Sequence, residues 1–413
     1  MRSETVDAMT TGDCMSIEDC TSRHDVDVCV VGAGPAGLAT AAALRRTGRR
    51  VVLLERAATL TPRWRTHRPG LRLHTTRSRS CLPGMPIDPT GGRYVSSADM
   101  VAYWQHSARG LGVTVRTGVL VTRIEPVPVL GDSPRPLIGG SDGRPRWIAH
   151  VRGGACLRAR SVVVATGYNA VPVVPDWPGV DTFPGPVAHA ADLGSLDQLV
   201  GRRVLVVGGG NAGAEAAVEL LCVGAEQVWL SIRTPPHIVR QRVGPWSAQG
   251  VAIALDHLPT PVADALAGLQ RRLTVPDLAA WGLPAPQQGL YSRVRETHSV
   301  PVQDTGLVAG IQAGRIRPVP AVVRFDDHRV VLDDGSALRP DAVVAATGYR
   351  RGLDDLLTPA VRSTVDGVPR TGRGGYLAPG LSLVGFRVSA GGTLRGIAQE
   401  ARAVARREAA DAA

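Results

Sequence analysis

The chain has 413 residues, 44% of them hydrophobic and 4% aromatic, and its formal charge of +11 is carried on the basic side entirely by arginine, with no lysine. No apolar run is long enough to cross a bilayer, and scattered arginines without interleaved aromatics do not make a nucleic-acid surface. The length allows two domains with separate cores, and the positive balance suits acidic small ligands such as dinucleotides or carboxylates.

Residues 1–24, MRSETVDAMTTGDCMSIEDCTSRH, are polar and mixed in charge. They lack the cationic start and apolar centre of a secretory signal and are expected to form a disordered tail. The six cysteines are Cys14, Cys20, Cys29, Cys81, Cys156 and Cys222. They include no C-x-x-C pair and no zinc spacing, which fits a reducing, cytoplasmic setting. Cys29, in a predicted strand, and Cys222, in a predicted helix, are expected to be buried.

The first predicted strand, VDVCVV (26–31), runs into Gly32, Gly34 and Gly37 in G-x-G-x-x-G register. A helix follows to about Arg46, Gly48 ends it, and RRVVLLE is the next strand. The first glycine permits the tight turn, the second lets backbone approach a pyrophosphate, and the third lets helix pack on strand. The helix N-terminus supplies free N–H groups and the positive dipole end. Glu55, at the tip of the second strand, suits the hydroxyls of an unphosphorylated ribose. From Val115 to Ala159 apolar and polar residues alternate, broken by DSPRPLIGGSDGRPR, which predicts a small antiparallel sheet with a loose hairpin.

A second turn follows the strand RVLVV (203–207), with Gly208, Gly210 and Gly213 in the same register. Its helix runs to about Cys222, Gly224 breaks it, and QVWLSIR is the next strand. No acid stands at that strand's tip. Ser231 and Arg233 stand there, a pair that suits a ribose carrying a 2′-phosphate. The first turn therefore reads as a site for FAD or NAD and the second as a site for NADPH. Two such sites in one chain imply hydride transfer from nicotinamide to flavin.

Two similar phrases bracket the second turn, SVVVATGYNAVPVVP (161–175) and DAVVAATGYRRGL (341–353). Each reads as a buried strand ending in Ala-Thr-Gly-Tyr, and they are taken as crossings between domains. The fold class is then α/β, with two Rossmann-like dinucleotide-binding domains. A discontinuous FAD domain, 25–172 and 340–413, carries an inserted NADPH domain, 173–339. Helices between Pro245 and Gln288, VADALAGLQRRL the clearest, either border a substrate cavity or form a plain cover. The closing GGTLRGIAQEARAVARREAA predicts a glycine turn opening a long helix whose N-terminus reaches the flavin ring edge.

Further motifs resemble the class B flavin-dependent monooxygenases, and within them the YUCCA-type enzymes, from about Asp25 to Arg406. The fingerprint F-x-G-x-x-x-H stands as FPGPVAHAADL, with Phe183, Gly185, His189 and, in place of the usual final aromatic, Leu193. WRTHRPGLRLHT (64–75) resembles the family's flavin-contacting stretch. GLPAPQQGLYSRV and the later PVQDTG, with Pro301, Asp304 and Gly306, resemble a YUCCA segment, and VGFRVSAGGTLRGIAQEA resembles the C-terminal flavin-contacting turn and helix.

The resemblance implies FAD contacts at Gly32, Gly34, Pro35, Ala36 and Gly37, at Glu55 and Arg56, at Trp64, Leu73 and Thr75, and at Thr166 and Gly167. It implies NADPH contacts at Gly208, Gly210, Asn211, Ala212 and Gly213, at Ser231 and Arg233, and at Thr347, Gly348 and Tyr349. It also implies a mechanism in which NADPH reduces FAD, oxygen adds at flavin C4a, and retained NADP⁺ shields the C4a-(hydro)peroxyflavin. Thr75 and Thr76 stand where several family members use an asparagine, so they and Arg395 are the candidate catalytic contacts. His189 is expected to organise the linker rather than act as a base. Arg77, Arg79 and Arg395 are candidates to hold an acidic substrate. The expected partners are a small organic substrate and molecular oxygen, with no metal, nucleic acid or membrane. The reaction class stays open among aryl-pyruvate decarboxylation and oxidation of an amine, sulfide or ketone. An NADPH-dependent flavin reductase without oxygen insertion and a non-catalytic nucleotide sensor are the alternatives. The cysteine spacing argues against a disulfide reductase.

Overall fold

The structure is a computed structural model and describes residues 26–65, 71–127, 146–361, 364–365, 368–369 and 375–411. The proposed tail, Cys14 and Cys20, part of the flavin-contacting stretch and the loose hairpin lie wholly or largely outside these residues.

β1 (Val26–Val31) is buried at every position but Asp27, as a strand covered on both faces must be. α1 (Pro35–Leu44) follows, built almost wholly of small and apolar residues and buried nearly all round. β2 (Val51–Leu54) pairs parallel to β1 with Val51 opposite Val28. The one-turn helix α2 (Pro62–Arg65) leads to an antiparallel pair, β3 (Arg72–Thr76) with β4 (Tyr94–Ser96). Helix α3 (Ser97–Arg109) opens on Ser96, whose hydroxyl accepts the Asp99 N–H, and β5 (Thr114–Arg116) extends the sheet beyond β2. The expected small sheet is an antiparallel meander of β6 (Val121–Pro126), β7 (Trp147–Val151) and β8 (Cys156–Val164). The inner half of β8 also runs parallel to β1, with Ser161 opposite Val28.

The chain then leaves this sheet through β9 (Val171–Pro172). A second sheet begins with β10 (Val187–His189) and β11 (Arg203–Val207), followed by α4 (Asn211–Val223) and β12 (Gln227–Ser231). An excursion carries β13 (Ile238–Arg240), the hairpin β14 (Arg242–Val243) and β15 (Trp246–Ser247), α5 (Ala248–Leu255), α6 (Thr260–Thr274), α7 (Leu290–Thr297) and β16 (Val302–Asp304), the last parallel to β13. α8 (Leu307–Gln312) and β17 (Ile316–Val319) return to the sheet. The meander β18 (Val322–Asp326), β19 (Arg329–Leu332) and β20 (Ala337–Leu338) precedes β21 (Ala342–Ala345). The second sheet is parallel throughout, in the order β10-β21-β11-β12-β17.

This placement moves the expected boundary at residue 340. β21 lies inside the second sheet, with Ala342 opposite Val204 of β11. Asp341, just before it, takes two guanidinium hydrogen bonds and the backbone N–H of Arg203, which hold its carboxyl down to about 2. The crossing falls after Ala345, at β22 (Tyr349–Arg350), which pairs antiparallel with β9. The two Ala-Thr-Gly-Tyr connectors therefore run side by side. The hairpin β23 (Thr364–Val365) and β24 (Val368–Pro369) leads to β25 (Tyr376–Ala378), β26 (Leu381–Leu383) and the long α9 (Thr393–Ala410). β26 completes the first sheet beside β8, giving the order β25-β26-β8-β1-β2-β5.

Each sheet buries both faces. Val28, Val30 and Leu53 of the first pack toward α1 and α9, while Cys29, Val31 and Leu54 pack on the opposite side with Leu353 and Leu357. In the second, Val204, Val206 and Leu230 face α4, and Leu205, Val207 and Val343 face Phe183 and Phe325. Cys29 is buried, but Cys222 is exposed, contrary to expectation. It lies on the outer side of α4, whose inner side carries Gly213, Ala214, Ala217 and Leu220. No helix of the described residues is long and apolar enough to cross a membrane.

Candidate functional site

Both glycine turns show the same geometry. Gly32 has φ +103°, and a Cβ there would stand 2.6 Å from the Ala165 carbonyl oxygen. Gly208 has φ +127° and would stand 2.3 Å from that of Ala346. A Cβ on Gly37 would fall 1.8 Å from the Gly32 oxygen, and one on Gly213 falls 1.8 Å from the Gly208 oxygen, so helix and turn touch backbone to backbone. Gly34 and Gly210 differ from these. A Cβ on either meets nothing within 4 Å, and each begins its helix with no side-chain cap. The first-turn N–H groups of α1 and α4 are thus left for an anion that can come close to the backbone.

Glu55 is 6% exposed at the end of β2. Its Oε2 accepts the Ala33 N–H at 2.8 Å and its Oε1 the Ala57 N–H at 2.9 Å. The carboxylate ties the glycine turn to the strand tip and keeps further lone pairs for ribose hydroxyls.

A cavity of about 1020 Å³ runs from this junction into the space under the excursion helices. Gly32, Gly34, Pro35, Ala36, Glu55 and Arg56 line one end of it. Trp64, Leu73, Thr75, Thr166 and Gly167 continue the wall. Gly37, occupied in packing against the turn, does not reach it. Trp64 is fixed edge-on to Trp104, ring centres 4.8 Å apart. The open backbone at Gly34, the uncapped helix and Glu55 together fit the pyrophosphate and ribose of FAD.

β3 forms the next part of the wall. Thr75 lines the cavity, its hydroxyl 2.8 Å from that of Ser80. Thr76 is buried, and its N–H and hydroxyl both donate to Oε1 of Gln249, at 2.8 and 3.1 Å. Gln249 Nε2 in turn donates to the Gly391 carbonyl at 2.8 Å. One buried amide thus joins β3, α5 and the turn before α9, and Thr76 is a structural rather than a reacting group. His74 Nε2 lies 2.7 Å from Glu215 Oε1, linking β3 of the first unit to α4 of the second, and both line the cavity.

The arginines expected near an acidic substrate lie elsewhere. Arg77 donates to the carbonyls of Asp88, Gly91 and Gly92 and clamps that turn. Arg79 is exposed at a separate cleft, reaching the Thr76 hydroxyl at 3.4 Å, and Arg395 does not line the cavity. The arginines that line it are Arg56, Arg63, Arg72, Arg152, Arg271 and Arg351.

Of the residues expected to bind NADPH, Asn211 alone borders the cavity. Its side-chain amide donates to the Pro301 carbonyl at 3.0 Å and accepts the Gln303 N–H at 2.9 Å, fastening α4 to β16. Asp304 accepts the N–H groups of Gly306 and Val308, each at 3.2 Å, and so starts α8. Gly208, Gly210, Ala212 and Gly213 form the second turn outside the cavity. Ser231 is turned inward, 2% exposed, and donates to the Pro320 carbonyl at 2.8 Å, so it does not face a ligand. Arg233 is exposed at the strand tip. The Thr347 hydroxyl donates to the Val173 carbonyl, fixing one connector to the other.

His189, 4% exposed, completes that fixation. Its Nδ1 accepts the Ala191 N–H at 3.1 Å, which places the ring proton on Nε2, and Nε2 donates to the Gly348 carbonyl at 3.1 Å. Tyr349 stands edge-on to the ring at 4.9 Å. With both nitrogens used, His189 positions the linker.

The far lobe of the cavity is walled by Val251, Ala252 and Leu255 of α5, Ala267 of α6, Leu290 of α7 and Ile238 of β13. Its polar groups include His237, Gln270, Arg271 and Tyr291. Tyr291 donates to the Ala252 carbonyl at 3.2 Å, and burial raises its phenol. Burial, with Arg293 and Arg271 nearby, pushes His237 below its ordinary value despite its hydrogen bond to the Gln288 carbonyl, so it is neutral at pH 7. Sequence reading missed Gln249, His74 and Glu215. A signal was present only for Glu215, which follows Asn211 by one helical turn on the same face.

Comparison with known proteins agrees with this geometry. The flavin-binding monooxygenase-like family model matches residues 157–366, and the pyridine nucleotide-disulphide oxidoreductase model matches residues 26–249. Indole-3-pyruvate monooxygenase YUCCA1 of Oryza sativa subsp. japonica is 34% identical over 334 residues, 80% of this chain and 78% of that protein. Probable indole-3-pyruvate monooxygenase YUCCA3 of Arabidopsis thaliana is 30% identical over 366 residues, 86% of this chain and 81% of that protein. Among solved structures, a flavin-containing monooxygenase from Stenotrophomonas maltophilia shares the fold with a TM-score of 0.67 at 23% identity, covering 95% of this chain and 100% of the other. An oxidized steroid monooxygenase bound to NADP gives 0.67 at 21% identity, covering 94% and 84%. The chain therefore belongs to the flavin-binding monooxygenase-like family and is an FAD- and NADPH-dependent monooxygenase.

Proposed function

We propose that this monooxygenase oxidatively decarboxylates an aryl-substituted 2-keto acid. The observation that carries the reading is the cavity itself, which joins the Glu55 groove to an apolar lobe containing one arginine. Similarity to indole-3-pyruvate monooxygenases supports the substrate class. The balanced reaction consumes keto acid, O₂, NADPH and a proton. It yields the arylacetate, CO₂, NADP⁺ and water: the C1–C2 bond breaks, one oxygen atom enters the acid and the other leaves as water.

FAD, when bound, accepts hydride from NADPH and activates oxygen. The chain's own groups hold and shield. The N–H groups of α1 receive the FAD pyrophosphate, and Glu55 receives the adenosine ribose. Trp64, Leu73, Thr75, Thr166 and Gly167, which line the same cavity, would border the flavin. The N-terminus of α4 receives the NADPH pyrophosphate, Arg233 its 2′-phosphate, and the Thr347–Tyr349 connector its nicotinamide half. On this reading residues 26–172 and 350–411 take FAD and residues 173–349 take NADPH. The apolar lobe excludes water from the reacting centre. The cysteine pattern supports a reducing cytoplasm as its setting.

Product analysis tests the reading. With NADPH and air-saturated buffer, indole-3-pyruvate or phenylpyruvate is expected to give one CO₂ and one arylacetate per NADPH. Keto acids left unconsumed while sulfides, amines or ketones are oxygenated would reject the decarboxylase assignment.

A further inference from the structure

The lobe between α5, α6 and α7 holds a cation without an anion. Arg271 lies in the last turn of α6, on the face that also carries Ala267, Gln270 and Thr274 to the cavity wall. No hydrogen bond or ion pair to its guanidinium is found among the described residues. Two acids of this excursion, Asp264 and Asp256, are already committed. Asp264 caps α7 through the Tyr291 N–H and the Ser292 hydroxyl, both at 2.6 Å, and Asp256 stands 3.6 Å from Arg295. The acids that line the cavity are Glu55, Glu215 and Asp355, none of them on α5, α6 or α7.

The other cavity arginines have different places. Arg63 donates to the Ala170 carbonyl, Arg72 to that of Tyr94, and Arg351 stacks 3.9 Å over the Tyr168 ring. Arg56 and Arg152 line the end of the cavity near Glu55, where the backbone N–H groups of Val119 and Arg152 donate to the carbonyls of Glu55 and Leu120, away from the lobe under α5, α6 and α7. His237, which burial and the nearby Arg293 and Arg271 push below its ordinary value, supplies no negative charge to Arg271.

Arg271 is half-buried at the cavity wall, so its guanidinium is held in place yet open to an anionic ligand. Its planar fork matches a carboxylate with two parallel hydrogen bonds. We propose that Arg271 is the carboxylate anchor of the substrate site. An organic acid places its carboxylate on Arg271 and its aryl body against Val251, Ala252, Leu255 and Leu290, which turns its reacting carbon toward Thr75 and the flavin. This rests on the keto-acid reading for the identity of the substrate, but the anchor is tested by binding alone.

The probes are indole-3-acetate and indole-3-acetamide, alike in shape and different in charge, titrated into the oxidised FAD-loaded enzyme by calorimetry. The wild type is expected to prefer the acid by about ten- to a hundredfold, the range of a charge-assisted hydrogen bond. Arg271→Ala is expected to bind acid and amide equally, and Arg271→Lys to keep part of the preference. FAD bound per chain reports that the fold survives, and Arg271→Gln replaces the alanine variant if that one does not fold. Equal binding of acid and amide by the wild type, or an undiminished preference in Arg271→Ala, overturns the anchor. An Arg271-dependent preference for acids in an enzyme that does not turn over keto acids keeps the anchor and overturns the substrate reading.

Discussion

Replacing Gln249 by leucine removes a buried side chain that joins β3, α5 and the turn before α9. Leucine matches the shape of the amide and none of its hydrogen bonds. The Thr76 hydroxyl can rotate to another acceptor, but the Thr76 N–H and the Gly391 carbonyl stay behind without their partner. A buried polar group left unpaired costs about 1–3 kcal/mol, so the two cost about 2–6 kcal/mol together. Thr76→Val is the control, since it deletes the 3.1 Å hydroxyl bond and keeps the N–H bond. It should lose only about 0.5–1.5 kcal/mol. Because Thr75 and Gly392 both line the cavity, the loss is expected to reach the flavin. Urea unfolding followed by flavin fluorescence, with FAD per chain measured on the purified proteins, reads both effects. A Gln249→Leu protein with the wild-type midpoint and full FAD content would refute the argument that the amide holds these segments.

Gly34→Leu has room for its side chain in the fold but not beside a pyrophosphate, so it should purify colourless and folded by circular dichroism; full FAD occupancy would sink the assignment. Arg233→Ala should weaken NADPH by about ten- to a hundredfold and leave NADH nearly unchanged, whereas equal losses would take Arg233 away from the 2′-phosphate. A thiol reagent should label Cys222 quickly in the native protein and Cys29 only after unfolding, read by mass spectrometry of the digested chain. Asp341 is held below its ordinary value, so its stabilisation is complete above pH 4 and lost as pH falls toward 2. The gap in unfolding midpoint between wild type and Asp341→Asn should therefore shrink between pH 5 and pH 2, and a constant gap would remove Arg203 as the cause.

The two nucleotide turns were readable because backbone geometry leaves little choice there. Gly32 and Gly208 need positive φ, Gly37 and Gly213 leave no room for a Cβ, and each run sits between a strand and a helix. The place of Glu55 at the tip of β2 was readable from its distance along the chain, although its grip on the turn through Ala33 was not. The domain crossing was misplaced because the two Ala-Thr-Gly-Tyr phrases look alike. A buried parallel strand reads the same whichever sheet it joins, and only pairing shows that β8 belongs to the first and β21 to the second. Ser231 failed because a serine at a strand tip does not say which way its hydroxyl points. Cys222 failed for the related reason that a short helix has an outer side. Gln249 and the His74–Glu215 pair depend on contacts across 173 and 141 positions, for which no local pattern exists. Arginine is common throughout this chain, so composition could not separate the turn clamp Arg77 from the cavity residue Arg271.

The split of the first sheet also orders events on the ribosome. β8 emerges with one edge unpaired, and its neighbour β26 lies beyond the whole second sheet. Those strands are separated by roughly 200 residues, or about 10–40 s of synthesis at ~5–20 residues per second. During that interval β10, β11, β12, β17 and β21 all appear, so the second sheet can close while the first still waits with an open edge, a surface prone to wrong pairing. α1 likewise waits for α9, the last helix to be made. A nascent chain cut between Ala345 and Leu381 would contain every strand of the second sheet and an unfinished first sheet. Ribosome-bound chains of increasing length should therefore gain protease resistance in the later sheet first, and retain yellow cofactor only when the final helix has cleared the exit tunnel.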